Sequence, residues 1–267
     1  MRDILDYQGK QVAVTGAASG MGAAVASTLV ELGAEVHALD VKSIAAPVKQ
    51  SLECDLSSES SIEAAAAQLP GALDALFNCA GLPGPPFSNL DTTLVNFVGL
   101  RTLTEVLLPR IPAGGAVASI TSVAGMGWKN NLESVEALCG TEGFAAGRAW
   151  LEANDPANNG YLFSKQCIIY YTKKRAGELA EREVRMNCLS PAPTDTPMLP
   201  TFHNQVSREF LEEHFLAPVG RNATPEEMAE PLIFLNSAAA RFVSGVNLFV
   251  DYGYVAGVEV GARPGLL

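Results

Sequence analysis

The sequence has few cationic residues for its size. Its 18 Lys and Arg stand against 29 Asp and Glu, which gives a formal net charge of -11 at pH 7. This balance repels the phosphates of nucleic acids and of anionic membranes, so we expect neither as a partner. It does not exclude a phosphate-bearing cofactor, because backbone N–H groups at a helix N-terminus bind phosphate without formal charge.

Long apolar runs, paired cysteines and clustered histidines are also missing. Segment 1–6 is too polar for a signal peptide, and no later segment is apolar enough to span a membrane. The three histidines are too dispersed to suggest a metal site, so we expect no bound metal. The five cysteines lack a CxxC pair, which is typical of free thiols in a reducing compartment: Cys54, Cys79, Cys139, Cys167 and Cys188. These absences favour a cytoplasmic protein.

A glycine-rich turn near the N-terminus separates a predicted strand from a predicted helix. The strand covers 11–15, the turn 16–22 and the helix 23–32, and a second strand ends at Asp40. Glycines here let the backbone approach a pyrophosphate, and the carboxylate can bind a ribose 2′-OH. Because Asp40 would repel a 2′-phosphate and Lys42 is the only nearby cation, we expect NAD rather than NADP.

Strands and helices alternate through most of the chain. Further strands are predicted at 51–56, 73–78, 116–121, 184–189 and 246–250, and helices at 60–69, 90–108, 160–181 and 225–235. This alternation is typical of an α/β Rossmann-type fold, a doubly wound parallel sheet with ligands at the carboxyl ends of its strands. Without a linker or an internal repeat, we expect a single domain over 1–267.

Two segments interrupt the alternation. At about 126–159 we expect an extended helical insertion, with helix over most of 128–153. At about 198–217, after the proline-rich loop 191–197, we expect a mobile helical flap over the substrate. The Gly-rich tail 257–267 is expected to cover a neighbouring surface.

A Tyr and a Lys four residues apart occur twice, as Tyr161 with Lys165 and as Tyr170 with Lys174. On a helix this spacing brings an ammonium beside a phenol, and a nearby cation lowers the pKa of a phenol toward the range of proton transfer. Nine residues separate the pairs, which places them on opposite helix faces. Either pair could simply be a solvated or half-buried face, and the spacing alone does not choose.

Further motifs follow in order along the chain. The glycine motif is Thr15-Gly16-Ala17-Ala18-Ser19-Gly20-Met21-Gly22, and Asn78-Cys79-Ala80-Gly81 stands where Asn-Asn-Ala-Gly is usual. Ser122-Val123-Ala124-Gly125 then precedes Tyr161 and Lys165. In this order the motifs resemble the short-chain dehydrogenase/reductase family over nearly the whole chain, and the resemblance selects Tyr161 over Tyr170.

The resemblance implies a set of site residues. Four are catalytic: Asn96, Ser122, Tyr161 and Lys165. The implied cofactor site consists of Gly16, Ser19, Gly20, Met21, Gly22, Asp40, Asp55, Leu56, Asn78, Ala80, Gly81, Tyr161, Lys165, Pro191, Thr194 and Thr196. Within it, Asp55 is the adenine-side acid, while Thr194 and Thr196 are expected to hold the carboxamide and the pyrophosphate.

The resemblance also implies roles in hydride transfer between an alcohol carbon and the nicotinamide. Tyr161 takes the hydroxyl proton as phenolate, and Lys165 lowers its pKa and holds the ribose hydroxyls. Ser122 hydrogen-bonds the substrate oxygen and steadies the developing charge. Asn96 is expected to anchor a water that links Lys165 to solvent.

Two features depart from the usual family pattern. Pro191-Ala192 replaces Pro-Gly, so the loop beside the nicotinamide must accommodate a methyl group. The segment between Ser122 and Tyr161 is long and similar to that of the bacterial 3α-hydroxysteroid dehydrogenase/carbonyl reductase subgroup, which coniferyl-alcohol dehydrogenases also resemble. In that subgroup the insertion obstructs the helix pairing of family tetramers, which implies a homodimer through another surface.

Aromatic residues in the two interrupting segments suggest a bulky apolar alcohol or ketone substrate: Trp128, Phe144, Trp150, Phe202 and Phe210. For each one, we expect packing in the core more than in a pocket. A hydroxysteroid and an aryl or allylic alcohol such as coniferyl alcohol both fit. A non-catalytic dinucleotide-binding scaffold is a further possibility, although such proteins usually lose a catalytic residue and all four are present here.

Overall fold

The centre of the fold is a parallel sheet with helices on both faces. The computed structural model describes residues 3–154, 159–203 and 216–264. In these ranges seven strands form one sheet in the order β3-β2-β1-β4-β5-β6-β7, with every neighbouring pair parallel. They are β1 (Gln11–Thr15), β2 (Glu35–Asp40), β3 (Gln50–Glu53), β4 (Ala75–Asn78), β5 (Ala116–Ile120), β6 (Arg185–Pro191) and β7 (Asn247–Val250). The doubly wound sheet predicted from the alternation is confirmed.

Ten α-helices lie in the same described ranges. They are α1 (Gly20–Glu31), α2 (Glu59–Gln68), α3 (Asn89–Thr93), α4 (Leu100–Leu107), α5 (Leu132–Cys139), α6 (Gly143–Ala153), α7 (Gly160–Glu178), α8 (Leu199–His203), α9 (Pro225–Asn236) and α10 (Tyr254–Glu259). Helices α1 and α9 share one apolar core with the sheet, while α2, α4 and α7 share another. The sheet is therefore covered on both faces, as parallel sheets require. No helix in these ranges has the length and apolarity needed to cross a membrane.

The structure differs from the sequence prediction chiefly where helices break. The helix predicted at 90–108 contains a π-helical turn, Leu94–Gly99, between α3 and α4. The helix predicted at 128–153 begins as a 3-10 helix, Val123–Asn131, and then divides into α5 and α6. The second break falls just before α6, whose first residue, Gly143, has φ +73°, a left-handed conformation that the interior of an α-helix does not contain. The third strand was predicted at 51–56, but it ends three residues earlier, at Glu53.

The insertion is fastened to the rest of the fold by one buried guanidinium. Arg101, on α4, is 4% exposed and donates to the carbonyl oxygens of Leu138 and Gly143, each at 2.8 Å. These oxygens lie at the end of α5 and the start of α6, so one side chain holds both helices. Gly147 allows this contact, because a Cβ there would lie 2.9 Å from an Arg101 nitrogen.

The start of α7 is fixed equally closely. Asn159 caps the helix by accepting from the N–H of Leu162 at 2.9 Å, and the N–H of Gly160 donates to the side chain of Asn89 at 2.9 Å. A Cβ on Gly160 would lie 2.3 Å from the Asn89 carbonyl oxygen, so only glycine fits. These contacts set the position of the next residue, Tyr161.

Some expectations lie partly outside the described residues. Of the flap predicted at about 198–217, residues 204–215 fall outside them, and so does Phe210. The tail is described only as far as 264, and α10 packs against Val123 and Met126 of the segment that follows β5. The domain boundaries stay predictions.

Candidate active site

The glycine turn between β1 and α1 packs backbone against backbone. Gly16 and Gly20 have φ +69° and +55°, which glycine adopts without strain. A Cβ on Gly16 would lie 2.7 Å from the backbone nitrogen of Ala80, and one on Gly22 would lie 2.1 Å from the oxygen of Gly16. Side chains here would clash with the neighbouring backbone, so only glycines allow the tight turn that leads into the α1 N-terminus, where a pyrophosphate can bind.

The first turn of α1 presents backbone donors to this space. Ser19 occupies the N-cap position, but its hydroxyl makes no capping hydrogen bond, which leaves it available to a ligand together with the terminal N–H groups. Met21 is half-buried against the core beneath. Gly20 approaches the loop after β6, because a Cβ on it would lie 3.2 Å from the Thr196 methyl carbon.

Thr15 joins two segments that the sequence analysis treated separately. Its hydroxyl oxygen accepts from the N–H groups of Cys79 and Ala80, at 3.1 and 3.2 Å. The glycine turn and the Asn78–Gly81 segment are thereby held together at the ends of β1 and β4. Thr15 belongs to the glycine motif, but no role was predicted for it from the sequence. Its position as the last residue of a strand could have indicated this one.

The two acids near the cofactor site differ in their surroundings. The Asp40 carboxylate accepts from the N–H of Ala18 and the N–H of Lys42, both at 2.9 Å, so it lies against the glycine turn. The Asp55 carboxylate accepts from the N–H and hydroxyl of Ser57, at 2.8 and 2.7 Å, in the turn before α2. Asp40 is therefore the acid that the structure places beside the predicted pyrophosphate site.

Two other predicted cofactor residues have mainly structural contacts. Asn78 is 1% exposed, and its amide nitrogen donates to the hydroxyls of Thr104 and Ser119 at 3.1 and 3.2 Å. It therefore ties β4 to β5 and α4. Leu56 is buried, and its carbonyl oxygen would lie 2.0 Å from a Cβ on Gly99.

The structure brings Tyr161, Lys165 and Ser122 together where α7 crosses the end of β5. The Lys165 ammonium lies 5.5 Å from the centre of the Tyr161 ring and donates to the Ile120 carbonyl oxygen at 3.1 Å. The Ser122 hydroxyl is a hydrogen-bond partner of the phenol. Tyr170 instead packs against Trp128, with ring centres 5.7 Å apart, on another side of the helix. Only the first Tyr-Lys pair thus meets the serine.

Burial governs the ionisation of this pair. It raises the pKa of Tyr161 above the ordinary phenol value, and the hydrogen bond with Ser122 only partly opposes it. It also lowers the pKa of Lys165 from 10.5 to about 8. In the chain by itself burial therefore dominates the pKa of Tyr161, and the lowering effect expected of Lys165 stays a prediction. The ammonium lies over the ring and bonds to a backbone carbonyl.

Asn96 lies in the π-helical turn and is almost fully bonded to backbone. Its side-chain oxygen accepts from the N–H of Leu82 at 2.6 Å, and its nitrogen donates to the Leu82 oxygen at 2.9 Å and to Ser164 at 3.3 Å. A Cβ on Gly81 would lie 3.3 Å from the Asn96 oxygen and 3.9 Å from the Lys165 nitrogen. Asn96 and Lys165 therefore border the same glycine. π-Turns of this kind are frequent at functional sites.

The loop after β6 accommodates the methyl of Ala192 without strain. Ala192 does not adopt a left-handed conformation; its N–H donates to Val250 at 2.8 Å, and its side chain is buried in the core. The Thr194 hydroxyl donates to the Ala192 oxygen at 2.8 Å, while half-buried Thr196 lies against Gly20. Pro191 ends β6, so this loop leaves the sheet at the edge where Tyr161 lies.

Of the four singled-out aromatics that the structure describes, one contacts Tyr161. Phe202 packs edge-to-face on Tyr161, with ring centres 5.2 Å apart, so the core expectation is wrong for this residue. Phe144 is buried in the core. Trp150 stacks on Phe163 at 6.0 Å, and Trp128 packs on Tyr170. Within the described ranges, no group of three or more His, Cys, Asp or Glu could hold a metal ion.

Comparison with known proteins shows which family the chain resembles. Residues 10–133 match the family described as short chain dehydrogenase, and residues 149–255 match the one described as enoyl-(acyl carrier protein) reductase. Coniferyl-alcohol dehydrogenase of Pseudomonas sp. strain HR199 is 35% identical over 246 residues, covering 91% of this chain and 96% of the relative. The chain belongs to the short-chain dehydrogenase/reductase family.

Further relatives agree with this membership. The 3-alpha-hydroxysteroid dehydrogenase/carbonyl reductase of Comamonas testosteroni is 29% identical over 267 residues, covering 95% of this chain and 98% of the relative. The crystal structure of the 3-alpha-hydroxysteroid dehydrogenase from Pseudomonas sp. B-0831 complexed with NADH has a TM-score of 0.77 at 28% identity, covering 95% and 99% of the two chains. The protein is thus an oxidoreductase of the short-chain dehydrogenase/reductase family, and its glycine cradle fits a dinucleotide cofactor.

Replacing the buried ammonium should stabilise the fold and abolish turnover. In the folded protein the pKa of Lys165 lies below its unfolded value, so the unfolded chain binds more protons between about pH 8 and 10.5. The buried charge therefore lowers the free energy of unfolding, by its full amount below pH 8 and by less and less as the pH rises to 10.5. At neutral pH this destabilisation is at most about 3 kcal/mol. Lys165→Met should therefore resist urea better than the parent protein at pH 7, with little difference at pH 10.

The matched control is Lys174→Met, an exposed lysine on the same helix, which should change neither stability nor turnover appreciably. A Lys165→Met variant that is less stable than the parent at pH 7 would show that the fold favours the ammonium, contrary to this interpretation.

Proposed function

We propose that this protein is an NAD-dependent oxidoreductase that interconverts a bulky hydrophobic alcohol, of the hydroxysteroid type, and its carbonyl by hydride transfer. The observation that carries the proposal is the convergence of Tyr161, Ser122 and Lys165 at the strand edge that also holds the glycine cradle. A second candidate, an aryl or allylic alcohol of the coniferyl type, is favoured by the relative that is 35% identical. A non-catalytic scaffold is the weakest alternative, because all four catalytic positions are filled.

Each residue of the cluster has a distinct task in the proposed reaction. Ser122 hydrogen-bonds the substrate oxygen and holds it beside the phenol, and Tyr161 takes or returns the hydroxyl proton at its oxygen. Lys165 supplies positive charge beneath the ring and is placed to hold ribose hydroxyls. Asn96 fixes the backbone at Leu82 and borders Lys165. When bound, the nicotinamide supplies the hydride acceptor or donor and, oxidised, a positive charge.

The positive charge of the oxidised nicotinamide matters because burial raises the pKa of Tyr161 and so favours its protonated form. A base at this position needs a nearby positive charge to favour the phenolate, and the Lys165 ammonium is the cation that the chain itself provides. Proton transfer by Tyr161 is therefore expected to require a bound cofactor.

Residues on both sides of the glycine turn support binding of NAD. Gly16, Gly20 and Gly22 allow the tight turn that leads into the helix N-terminus, and Ser19 leaves its hydroxyl free of a capping bond. The Asp40 carboxylate, held by two backbone N–H groups, has the position and charge to accept a ribose 2′-OH and to repel a 2′-phosphate. A homodimer and a cytoplasmic location complete the proposal as expectations.

Removal of the phenolic oxygen is the direct test of the mechanism. Tyr161→Phe should lower turnover at least about 1000-fold, since the proton acceptor is lost. NADH binding, followed by fluorescence titration, should stay within about threefold of the parent value. Tyr170→Phe is the matched control and should keep parental turnover. Substantial turnover by Tyr161→Phe would refute the assignment.

Cofactor choice can be tested at Asp40. Asp40→Ser removes a charge whose repulsion of a 2′-phosphate, at an effective dielectric of about 20, amounts to a few kcal/mol. The ratio of kcat/KM for NAD over that for NADP should fall at least about tenfold. Glu53→Ser is the control, because exposed Glu53 lies opposite Asp40 on β3 and carries the same charge. An unchanged ratio in Asp40→Ser would contradict NAD selection by this carboxylate.

Substrate class can be tested with a panel and one aromatic substitution. NAD reduction should occur with a 3α-hydroxysteroid, with a coniferyl-type alcohol or with both; failure with both classes would remove the proposed substrates. Because Phe202 lies on the catalytic ring, Phe202→Ala should raise the KM of the better substrate about tenfold while leaving NADH binding unchanged. Phe242→Ala, a fully exposed phenylalanine, is the control.

A further inference from the structure

Two cysteines outside the active site meet where the insertion packs on the catalytic helix. Cys139 is the last residue of α5, and Cys167 lies within α7, two residues after Lys165. The sulfur of Cys139 is 3.8 Å from the Cys167 carbonyl oxygen, and the two thiols are within hydrogen-bond reach of each other. The two cysteines are therefore in direct contact across neighbouring helices, which is the first condition for a disulfide between them.

The two thiols differ in access. Cys139 is part-buried, whereas Cys167 is 0% exposed within the core. Burial raises the pKa of Cys167 well above its ordinary value, which makes it a poor first nucleophile. An oxidant from solvent would therefore react first at Cys139, with Cys167 in place as the resolving thiol.

A buried cation lies beside both sulfurs. Arg101 donates to the Leu138 carbonyl, immediately before Cys139, and interacts electrostatically with the thiols of Cys139 and Cys167. No salt bridge pairs this guanidinium with a carboxylate among the described residues. Its charge lowers the pKa of Cys167 and so partly opposes the effect of burial on this thiol.

We propose that Cys139 and Cys167 form a dithiol oxidation site that closes into a disulfide between the insertion and the catalytic helix. The oxidant is a small peroxide or a small disulfide such as oxidised glutathione.

The chemistry balances with either oxidant. With hydrogen peroxide, the Cys139 thiolate attacks one oxygen, the O–O bond breaks, and a sulfenic acid and water form. Cys167 then attacks this sulfur and displaces a second water, so two thiols and one peroxide give one disulfide and two waters. With oxidised glutathione, two successive exchanges form the same bond and release two reduced glutathiones.

The disulfide would tie α5 to the turn of α7 that follows Lys165. Cys139 already contacts the backbone of Cys167, so the bond joins two residues that are neighbours in the fold. Its effect is to restrain the insertion, whose exposed Lys129 and Arg148 are tryptic sites. Cleavage of the folded, oxidised protein at these two sites should be slower than cleavage of the reduced protein.

Peptide mapping of the full-length protein tests the proposal. After treatment with oxidised glutathione, alkylation and complete tryptic digestion without reductant, fragments 130–148 and 166–173 should appear joined, lighter by two hydrogen atoms than their sum. Each fragment contains a single cysteine, so the assignment is unambiguous. Reductant should separate them, and thermal unfolding of the oxidised protein should shift upward by several degrees.

Substitutions complete the test. Cys139→Ser should abolish both the joined peptide and the thermal shift, while Cys54→Ala, which removes a buried thiol elsewhere, should retain both. The joined peptide in the parent protein decides the matter even if a variant fails to fold. Separate alkylated fragments after oxidation, or Cys139 linked only to glutathione or to a second chain, would overturn the proposal.

Discussion

The site depends on the fastening of α7 to the end of β5. Two buried hydrogen bonds make this junction: the Thr121 hydroxyl donates to the Lys165 carbonyl oxygen, and the Lys165 ammonium donates to the Ile120 carbonyl oxygen, both at 3.1 Å. Gly125 lets the following segment approach equally closely, since a Cβ on it would lie 2.8 Å from the Lys165 oxygen. Ser122 directly follows Thr121, so its distance from Tyr161 is set by the same contacts.

The cofactor cradle is joined to this junction through glycine and small side chains. Thr15 binds the backbone of Cys79 and Ala80, and Gly81 comes next, between Asn96 and Lys165. If the glycine turn moved, Cys79, Ala80 and Gly81 would therefore move with it, and Gly81 borders the catalytic lysine. Close backbone packing of this kind is stiff, because protein interiors have almost no free volume to absorb a shift.

Two cations are buried in this arrangement, and burial of a charge is electrostatically unfavourable. The chain carries a net charge of -11, yet Lys165 and Arg101 are almost fully buried, and both are held by backbone carbonyl oxygens. Carbonyl dipoles satisfy the donors without neutralising the charge, which leaves each cation free to act on a neighbour. At Lys165 the neighbour is the phenol, and at Arg101 it is a pair of thiols. The same device thus serves the proposed catalysis and the insertion.

Much was determined by the sequence alone: the seven strands, their assembly into a parallel sheet and the family follow from short apolar runs, glycine spacing and the order of the motifs. The choice of Tyr161 over Tyr170 came from motif order and not from spacing. The π-turn at Asn96, the break at Gly143, the contact of Phe202 with Tyr161 and the meeting of Cys139 with Cys167 were decided only by tertiary structure. Each of these depends on segments far apart in the chain, and burial, which sets the pKa of Tyr161 and Lys165, exists only once those segments have packed.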